Sequence, residues 1–214
     1  MKLQIVYDNS AQPGFKSGWG FSCYLPEFKL LFDTGWDVRR LLYNMQKLNI
    51  KLSQVEKVVI SHSHWDHSGG LPGIIQPHME IIVPESFSEH MKDEIGKTAS
   101  LKEVTGREKI SDGLWTGGEL GKKIKEQSLA VETKTGLSVI TGCAHPGLEN
   151  IFNALEPVGK IETVVGGLHD FADYQLLEGL KLIAPAHCTK NKSELRRLFR
   201  NKYVEILAGQ TIKF

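Results

Sequence analysis

The sequence lacks the features that mark several specialised classes of protein. It has only three cysteines, Cys23, Cys143 and Cys188, which do not suggest a disulfide framework. No apolar run approaches the roughly 20 residues that a membrane-spanning helix needs. The formal net charge is +1, so there is no strong general attraction to nucleic acid or to an anionic membrane. We therefore expect a small-molecule substrate and neither a nucleic acid nor a membrane as partner; the oligomeric state stays open.

The composition is that of an ordinary globular protein. Hydrophobic residues make up 41% and charged residues 24% of the 214 residues, enough for one sizeable core, and we predict a single domain over residues 1–214. The first eight residues alternate polar and apolar side chains, as a strand does, and lack the apolar centre of a signal peptide. A cytoplasmic location is expected.

Hydrophobic periodicity predicts a mixed α/β fold with sheet packed on sheet. Strands are predicted at residues 2–8, 19–25, 29–32, 58–60, 80–83, 129–133, 137–141, 163–165, 182–184, 203–207 and 210–213. Helices are predicted at residues 37–48, 71–76, 84–90, 147–155 and 173–177, with one more capped by Ser193. Residues 97–126 carry many charges, which we interpret as a solvated face with short strands near Val104, Ile110 and Leu114.

The segment 57–70 contains the densest group of reactive side chains. A short β-branched run is followed by His62, His64, Asp66 and His67, and then by two glycines. Residues two apart in an extended chain point the same way, so His62 and His64 suit two ligands of one metal ion. Asp66 and His67 lie past a turn and can face a second ion. Four potential ligands within six residues favour a metal site over packing.

This segment resembles the HxHxDH signature of the metallo-β-lactamase superfamily, and further segments extend the resemblance. Phe32–Gly35 is similar to its LxDTG motif, and 141–147, 166–169 and 186–189 follow in the order of one branch. That branch contains the dihydropterin–aminobenzene-phosphate synthase of methanopterin biosynthesis. The resemblance implies a four-layer αββα sandwich with the active site along one edge.

The resemblance also implies a dinuclear metal site. His62 and His64 with a third histidine hold one ion, and Asp66, His67 and a late histidine hold the other. His187 fits the late position after an apolar strand. His145 is the candidate for the third ligand of the first ion, since no histidine lies between residues 90 and 145. Two divalent transition metals are expected, zinc first, with manganese or iron as alternatives.

Three more residues receive roles from their positions. Cys143 is either a thiolate ligand or a buried thiol beside the site, and both interpretations stay open. His169 is predicted to face the substrate or act as an acid or base, with a hydrogen-bonding role behind the site as the alternative. Asp33 suits a partner that orients a ligating histidine. Asp66 is also expected to orient the nucleophile.

The function expected from this site is that of a metal-dependent hydrolase whose two ions activate a bridging hydroxide. The substrate would be a small phosphorylated or ester compound, and pterin-related synthase or phosphodiesterase activity is compatible with the same centre. One alternative is a di-iron protein that reduces oxygen or nitric oxide, although such relatives usually have glutamate at the position of His64 and carry a flavin domain. Another is a metal-binding protein without catalysis.

Overall fold

The structure is a computed structural model that describes residues 1–213 and contains two compact units. The first unit comprises Met1–Thr105 and the C-terminal residues from Leu207 onward, and the second comprises Gly106–Ile206. Each unit is built on one mixed sheet. A single domain over residues 1–214 stays a prediction.

The first unit contains a seven-stranded sheet with the strand order β13-β1-β2-β3-β4-β5-β6. Numbered along the chain, its strands are β1 (Lys2–Tyr7), β2 (Ser22–Leu25), β3 (Leu30–Phe32), β4 (Lys57–Val59), β5 (Glu80–Pro84), β6 (Ser100–Val104) and β13 (Thr211–Lys213). β3 to β6 run parallel, whereas β13, β1, β2 and β3 pair antiparallel. The carboxyl ends of β3 and β4 therefore lie side by side, which brings Asp33 next to Ser61.

Three α-helices accompany this sheet: α1 (Val38–Lys47), α2 (Trp65–Ser68) and α3 (Glu89–Gly96). Asp37 caps α1 by accepting a hydrogen bond from the amide of Arg39, and the apolar face of α1 buries Leu41 and Met45. Those two side chains join a core cluster with the β-branched residues of β4 and β5. Burial of this apolar face, more than helix propensity, fixes the helix on the sheet.

The second unit contains a six-stranded sheet with the strand order β12-β11-β10-β9-β8-β7. Its strands are β7 (Glu108–Ser111), β8 (Leu114–Thr116), β9 (Leu129–Glu132), β10 (Leu137–Thr141), β11 (Ile161–Gly167) and β12 (Leu182–Ala186), and its helices are α4 (Leu148–Leu155) and α5 (Lys192–Leu198). β10, β11 and β12 run parallel, so the residues that follow them meet at one edge. Those residues include Cys143, His169 and His187.

Several predicted elements differ from the structure; the helices predicted at 71–76 and 173–177 are short 3-10 turns at Leu71–Gly73 and Tyr174–Leu177. The helix predicted at 84–90 begins instead at Glu89, because the Ser88 hydroxyl caps it by accepting from the amide of Met91. The strand predicted at 203–207 is reduced to one bridge between Ile183 and Tyr203. The strand predicted from residue 19 begins at Ser22. The predicted cap Ser193 lies inside α5.

Within residues 1–213, no helix is both long enough and apolar enough to cross a membrane. All three cysteines lie in this range, and none forms a disulfide.

Candidate metal centre

In the first unit, the histidine cluster forms where the chain turns from β4 into α2. His64 is the residue before α2, and Asp66 and His67 lie within its single turn. The ring centroid of His62 lies 4.6 Å from that of His64 and 4.3 Å from that of His67. A carboxylate oxygen of Asp66 lies 4.0 Å from Nε2 of His67. The four residues predicted from this segment therefore lie together, and His62 and His67 are fully buried.

Asp33 holds two of these histidines in a defined orientation. One of its carboxylate oxygens accepts from the Ser61 amide at 2.7 Å; the other accepts from the Ser61 hydroxyl at 2.8 Å and lies 2.7 Å from Nδ1 of His67. Because the Ser61 hydroxyl proton goes to Asp33, its oxygen can only accept from Nδ1 of His62, 2.9 Å away. Both rings thus carry their proton on Nδ1, and Nε2 is the nitrogen that would coordinate an ion.

The second unit contains a similar arrangement around Glu126. This fully buried carboxylate accepts from the amides of Gly142, Cys143 and Ala144 at 3.1, 2.9 and 2.9 Å through Oε1. Its Oε2 lies 2.9 Å from both the amide and Nδ1 of His145. An ionised carboxylate is an acceptor at both oxygens, which matches these five N–H groups. The His145 ring is therefore also protonated on Nδ1, with Nε2 as the coordinating nitrogen.

Cys143, His187 and Cys188 form a second group of potential ligands in this unit. The potential ligand atoms of the three residues lie within 4.8 Å of one another. Cys143 and His187 are buried, and Cys188 is half-buried. A Cβ atom on Gly167 would lie 2.7 Å from the sulfur of Cys188, so glycine is what lets β11 pass this close. Whether Cys143 is a ligand stays a prediction with both interpretations open.

His169 lies near His145 but is more accessible. Their ring centroids are 5.3 Å apart, and the His169 side chain is 40% exposed. Its hydrogen bond to Asp170, at 3.3 Å, holds the pKa of that carboxyl below its usual range. A ring that is accessible and within reach of a predicted ligand suits an acid, a base or a substrate contact, and the role predicted for His169 stays a prediction.

Several site residues lie in the left-handed backbone region, where non-glycine residues are uncommon. Asp33, Ala144, His169 and His187 have φ values of +56°, +59°, +49° and +43°. Each follows the end of a strand (β3, β10, β11 or β12) by no more than three residues. Backbone strain of this kind persists only where the surroundings hold it, and it collects at functional sites.

Three exposed tryptophans flank the histidine cluster of the first unit. Trp19, Trp36 and Trp65 are 51%, 53% and 49% exposed, whereas most large apolar side chains of residues 1–213 are buried. The rings of Trp36 and Trp65 meet edge to face. The loop that carries Trp19 is attached to the cluster by a 3.3 Å hydrogen bond from the Phe21 amide to the Asp66 carbonyl. Exposed aromatic surface beside a polar cluster is typical of ligand-binding sites.

Sequence reasoning missed three residues of these networks: Ser61, Glu126 and Cys188. Ser61 and Cys188 are each adjacent to a predicted ligand, and that adjacency was the available signal. Glu126 lies at the end of a charged run, 119–126, which is typical of a solvated surface. No local pattern distinguishes its buried carboxylate from the exposed charges beside it.

Comparison with known sequences gives one family match and related proteins. Residues 22–146 match the profile of the metallo-beta-lactamase superfamily. A curated relative, the 7,8-dihydropterin-6-methyl-4-(beta-D-ribofuranosyl)-aminobenzene-5'-phosphate synthase of Methanocaldococcus jannaschii, is 25% identical over 249 residues, covering 87% of this chain and 84% of that protein.

Comparison with solved structures supports the same fold. The crystal structure of a metal-dependent hydrolase of the beta-lactamase superfamily has a TM-score of 0.84 and 28% identity, covering 100% of this chain and 99% of the other. Zn²⁺-bound PqqB from Methylobacterium extorquens has a TM-score of 0.64 at 11% identity, covering 100% of each chain, and that similarity concerns the fold alone. The predicted fold class, an α/β sandwich of the metallo-β-lactamase type, is confirmed.

Proposed function

The chain belongs to the metallo-β-lactamase superfamily, and from that membership we propose that it is an enzyme with a dinuclear metal centre that acts on a small phosphorylated or ester substrate. The observation that carries this proposal is the pair of carboxylates, Asp33 and Glu126, that fix buried or nearly buried histidines through Nδ1. Such carboxylate–histidine pairs are typical of metal ligands, because they orient the ring and raise the basicity of Nε2.

The chemistry of the donor set fits divalent transition metals. The proposed ligands of one ion are His62, His64 and His145, and those of the other are Asp66, His67 and His187. Three imidazole nitrogens for one ion, and two imidazole nitrogens with one carboxylate for the other, suit zinc, with manganese and iron as alternatives. Bound ions of this kind lower the pKa of a coordinated water toward neutrality and so supply a hydroxide nucleophile.

The protein's own residues provide orientation and proton handling. Asp33 and Glu126 keep their histidines in the tautomer with the proton on Nδ1. The role proposed for Asp66 is to orient the attacking water through its carboxylate. The role proposed for His169, whose accessible ring lies 5.3 Å from that of His145, is to give a proton to a departing group.

Two kinds of reaction suit such a centre. Hydrolysis is supported by the metal-dependent hydrolase of the beta-lactamase superfamily, which is 28% identical over the whole chain. Synthase chemistry, in which a phosphorylated group leaves and a new bond forms, is supported by the aminobenzene-phosphate synthase relative at 25% identity. A small phosphorylated or ester compound suits either reaction, and a small-molecule substrate in the cytoplasm remains part of the proposal.

Metal content is the direct test. We expect elemental analysis of the purified protein to give up to two transition-metal ions per chain, and His145→Ala to retain about one. His90→Ala is the matched control, since His90 is exposed and lies outside both clusters. A wild-type protein that neither retains nor is activated by divalent metal would overturn the proposed function.

A further inference from the structure

We propose that Lys122 and Lys123 form an anion-binding site beside His145 that selects substrates carrying a phosphate group. This site rests on the proposed function, since it narrows the substrate from a phosphorylated or ester compound to a phosphorylated one. It also changes the interpretation of part of the charged segment 97–126, which the sequence pattern had indicated to be a solvated face.

Both lysines line a cavity of about 830 Å³ in the second unit, together with His145 and Pro146. None of the residues that line this cavity is an aspartate or a glutamate. Two ammonium groups without an acidic counterpart make the cavity wall positive, and a concave, partly desolvated wall strengthens the attraction for an anion.

Among residues 1–213, Lys122 and Lys123 differ from the neighbouring lysine in having no carboxylate partner. Lys125, on the same hairpin, pairs with Glu119 at 3.5 Å. In the part of the chain that the structure describes, no carboxylate lies within ion-pair distance of Lys122 or Lys123, although both are exposed. The charge of Lys125, near the base of the hairpin, is therefore balanced by Glu119, whereas Lys122 and Lys123, near its tip, face the cavity.

The hairpin is fixed relative to His145, so the lysines are not randomly placed on a mobile loop. Leu120 and Glu126 exchange backbone hydrogen bonds of 3.0 and 2.9 Å that close its base. Gly121 has a φ of +100°, and a Cβ atom there would overlap the carbonyl oxygen of Ile124, so the turn requires glycine. Glu126, at the base of the same hairpin, holds both the amide and the ring of His145.

His145 also lines a second cavity, of about 300 Å³, whose wall includes Leu148, Leu168 and Phe171. A ligand with its phosphate on the lysines can extend past His145 toward these apolar side chains, which share the wall with His169 and Asp170. The substrate class that fits is a small organic phosphate with an uncharged or aromatic part. Phosphate recognition by paired lysines acts through charge, so its strength falls as ionic strength rises.

The test compares two probes that differ only in a phosphate group, ribose 5-phosphate and ribose, by NMR titration of protein treated with EDTA. The variant is Lys122→Gln/Lys123→Gln. The control, Lys51→Gln/Lys134→Gln, removes the same charge from two exposed lysines outside the cavity. We expect the variant to bind ribose 5-phosphate at least tenfold more weakly than wild type, the control to bind within twofold of wild type, and Lys122→Arg/Lys123→Arg to recover most of the affinity.

Three results would overturn the anion site: equal affinity of wild type and variant for ribose 5-phosphate, equal affinity of wild type for the two sugars, or tighter binding of a ten-nucleotide RNA that the variant loses. Because the titration uses metal-free protein, it does not depend on the metal centre. The metal content of the variant, measured by elemental analysis, should match that of wild type. A wild-type protein without metal would overturn the proposed function, whereas the anion site is decided by the titration alone.

Discussion

Asp66 shows how much one side chain contributes to the candidate centre. Its carbonyl accepts from the Phe21 amide, and its carboxylate lies 4.0 Å from Nε2 of His67. Asp66→Asn preserves the shape and the backbone contact but removes the negative charge. We expect turnover of any working substrate to fall on the order of a hundredfold or more, because metal activation and proton transfer have effects of that size.

Turnover of Asp66→Asn should be compared with that of Asp112→Asn, whose carboxylate is fully exposed and pairs with Lys109. Circular dichroism should show both variants folded. Near wild-type turnover in Asp66→Asn would exclude Asp66 from the mechanism.

Cys23 provides a prediction about pH at the residue scale. Burial, with a smaller contribution from the nearby charge of Asp33, raises the pKa of the Cys23 thiol well above its usual value. A raised thiol pKa keeps the group neutral, so the reactive thiolate is scarce through neutral pH and above. Iodoacetamide at pH 7 to 9 should leave Cys23 unmodified in the native protein and label it in urea. Labelling of native Cys23 at pH 7 would contradict this, as peptide mass spectrometry would show.

Single residues were predictable where their partners are close in sequence. His62, His64, Asp66 and His67 lie within six consecutive positions, so their spacing alone indicated metal chemistry. Glu126 accepts from amides 16 to 19 residues away, and the antiparallel pairing of β9 with β10 creates that contact. Its role therefore could not be predicted from the sequence.

At the element scale, the loop after β10 depends on Glu126. Glu126→Gln keeps the size of the side chain but replaces one accepting oxygen with an NH₂ group, leaving the buried N–H groups of His145 facing a donor. Unsatisfied buried donors and lost charged hydrogen bonds cost about 1–3 kcal/mol each. We expect the free energy of unfolding, measured by urea denaturation, to fall by about 3 kcal/mol.

The matched control for this variant is Glu149→Gln, since Glu149 is an exposed residue of the first turn of α4. Amide exchange at residues 142–145 should quicken in Glu126→Gln alone. Unchanged exchange at those amides would show that the carboxylate does not hold the loop.

Elements with strong periodicity were predicted well, and those set by single caps were not. The helix predicted at 37–48 corresponds to α1, because Leu41 and Met45 recur at helical spacing. The start of α3 was predicted too early because proline often begins a helix. Here Pro84 ends β5, and Ser88 supplies the helix cap. The segment 203–207 has the apolar residues typical of a strand, but only Tyr203 forms a β-bridge, with Ile183.

At the scale of the whole molecule, the proposed metal centre should contribute to stability. A ligand at 100 times its dissociation constant stabilises the native state by about 2.7 kcal/mol. For a chain of this size that corresponds to roughly 5–10 °C in the melting temperature. We expect EDTA to lower the melting temperature by about this amount and added zinc to restore it. An unchanged melting temperature would indicate that folding and metal binding are independent.

The antiparallel pairing of β1 with β13 has a consequence for how the chain is made. Lys2 pairs with Lys213, so the strand that completes this edge of the first sheet leaves the ribosome only after the whole second unit. The intervening second unit takes roughly 5–20 s to synthesise at typical translation rates. During that interval the outer edge of β1 has no permanent neighbour, and an open strand edge is a template for association with other chains. A nascent chain of this protein therefore exposes an aggregation-prone strand edge at β1 until β13 has been translated.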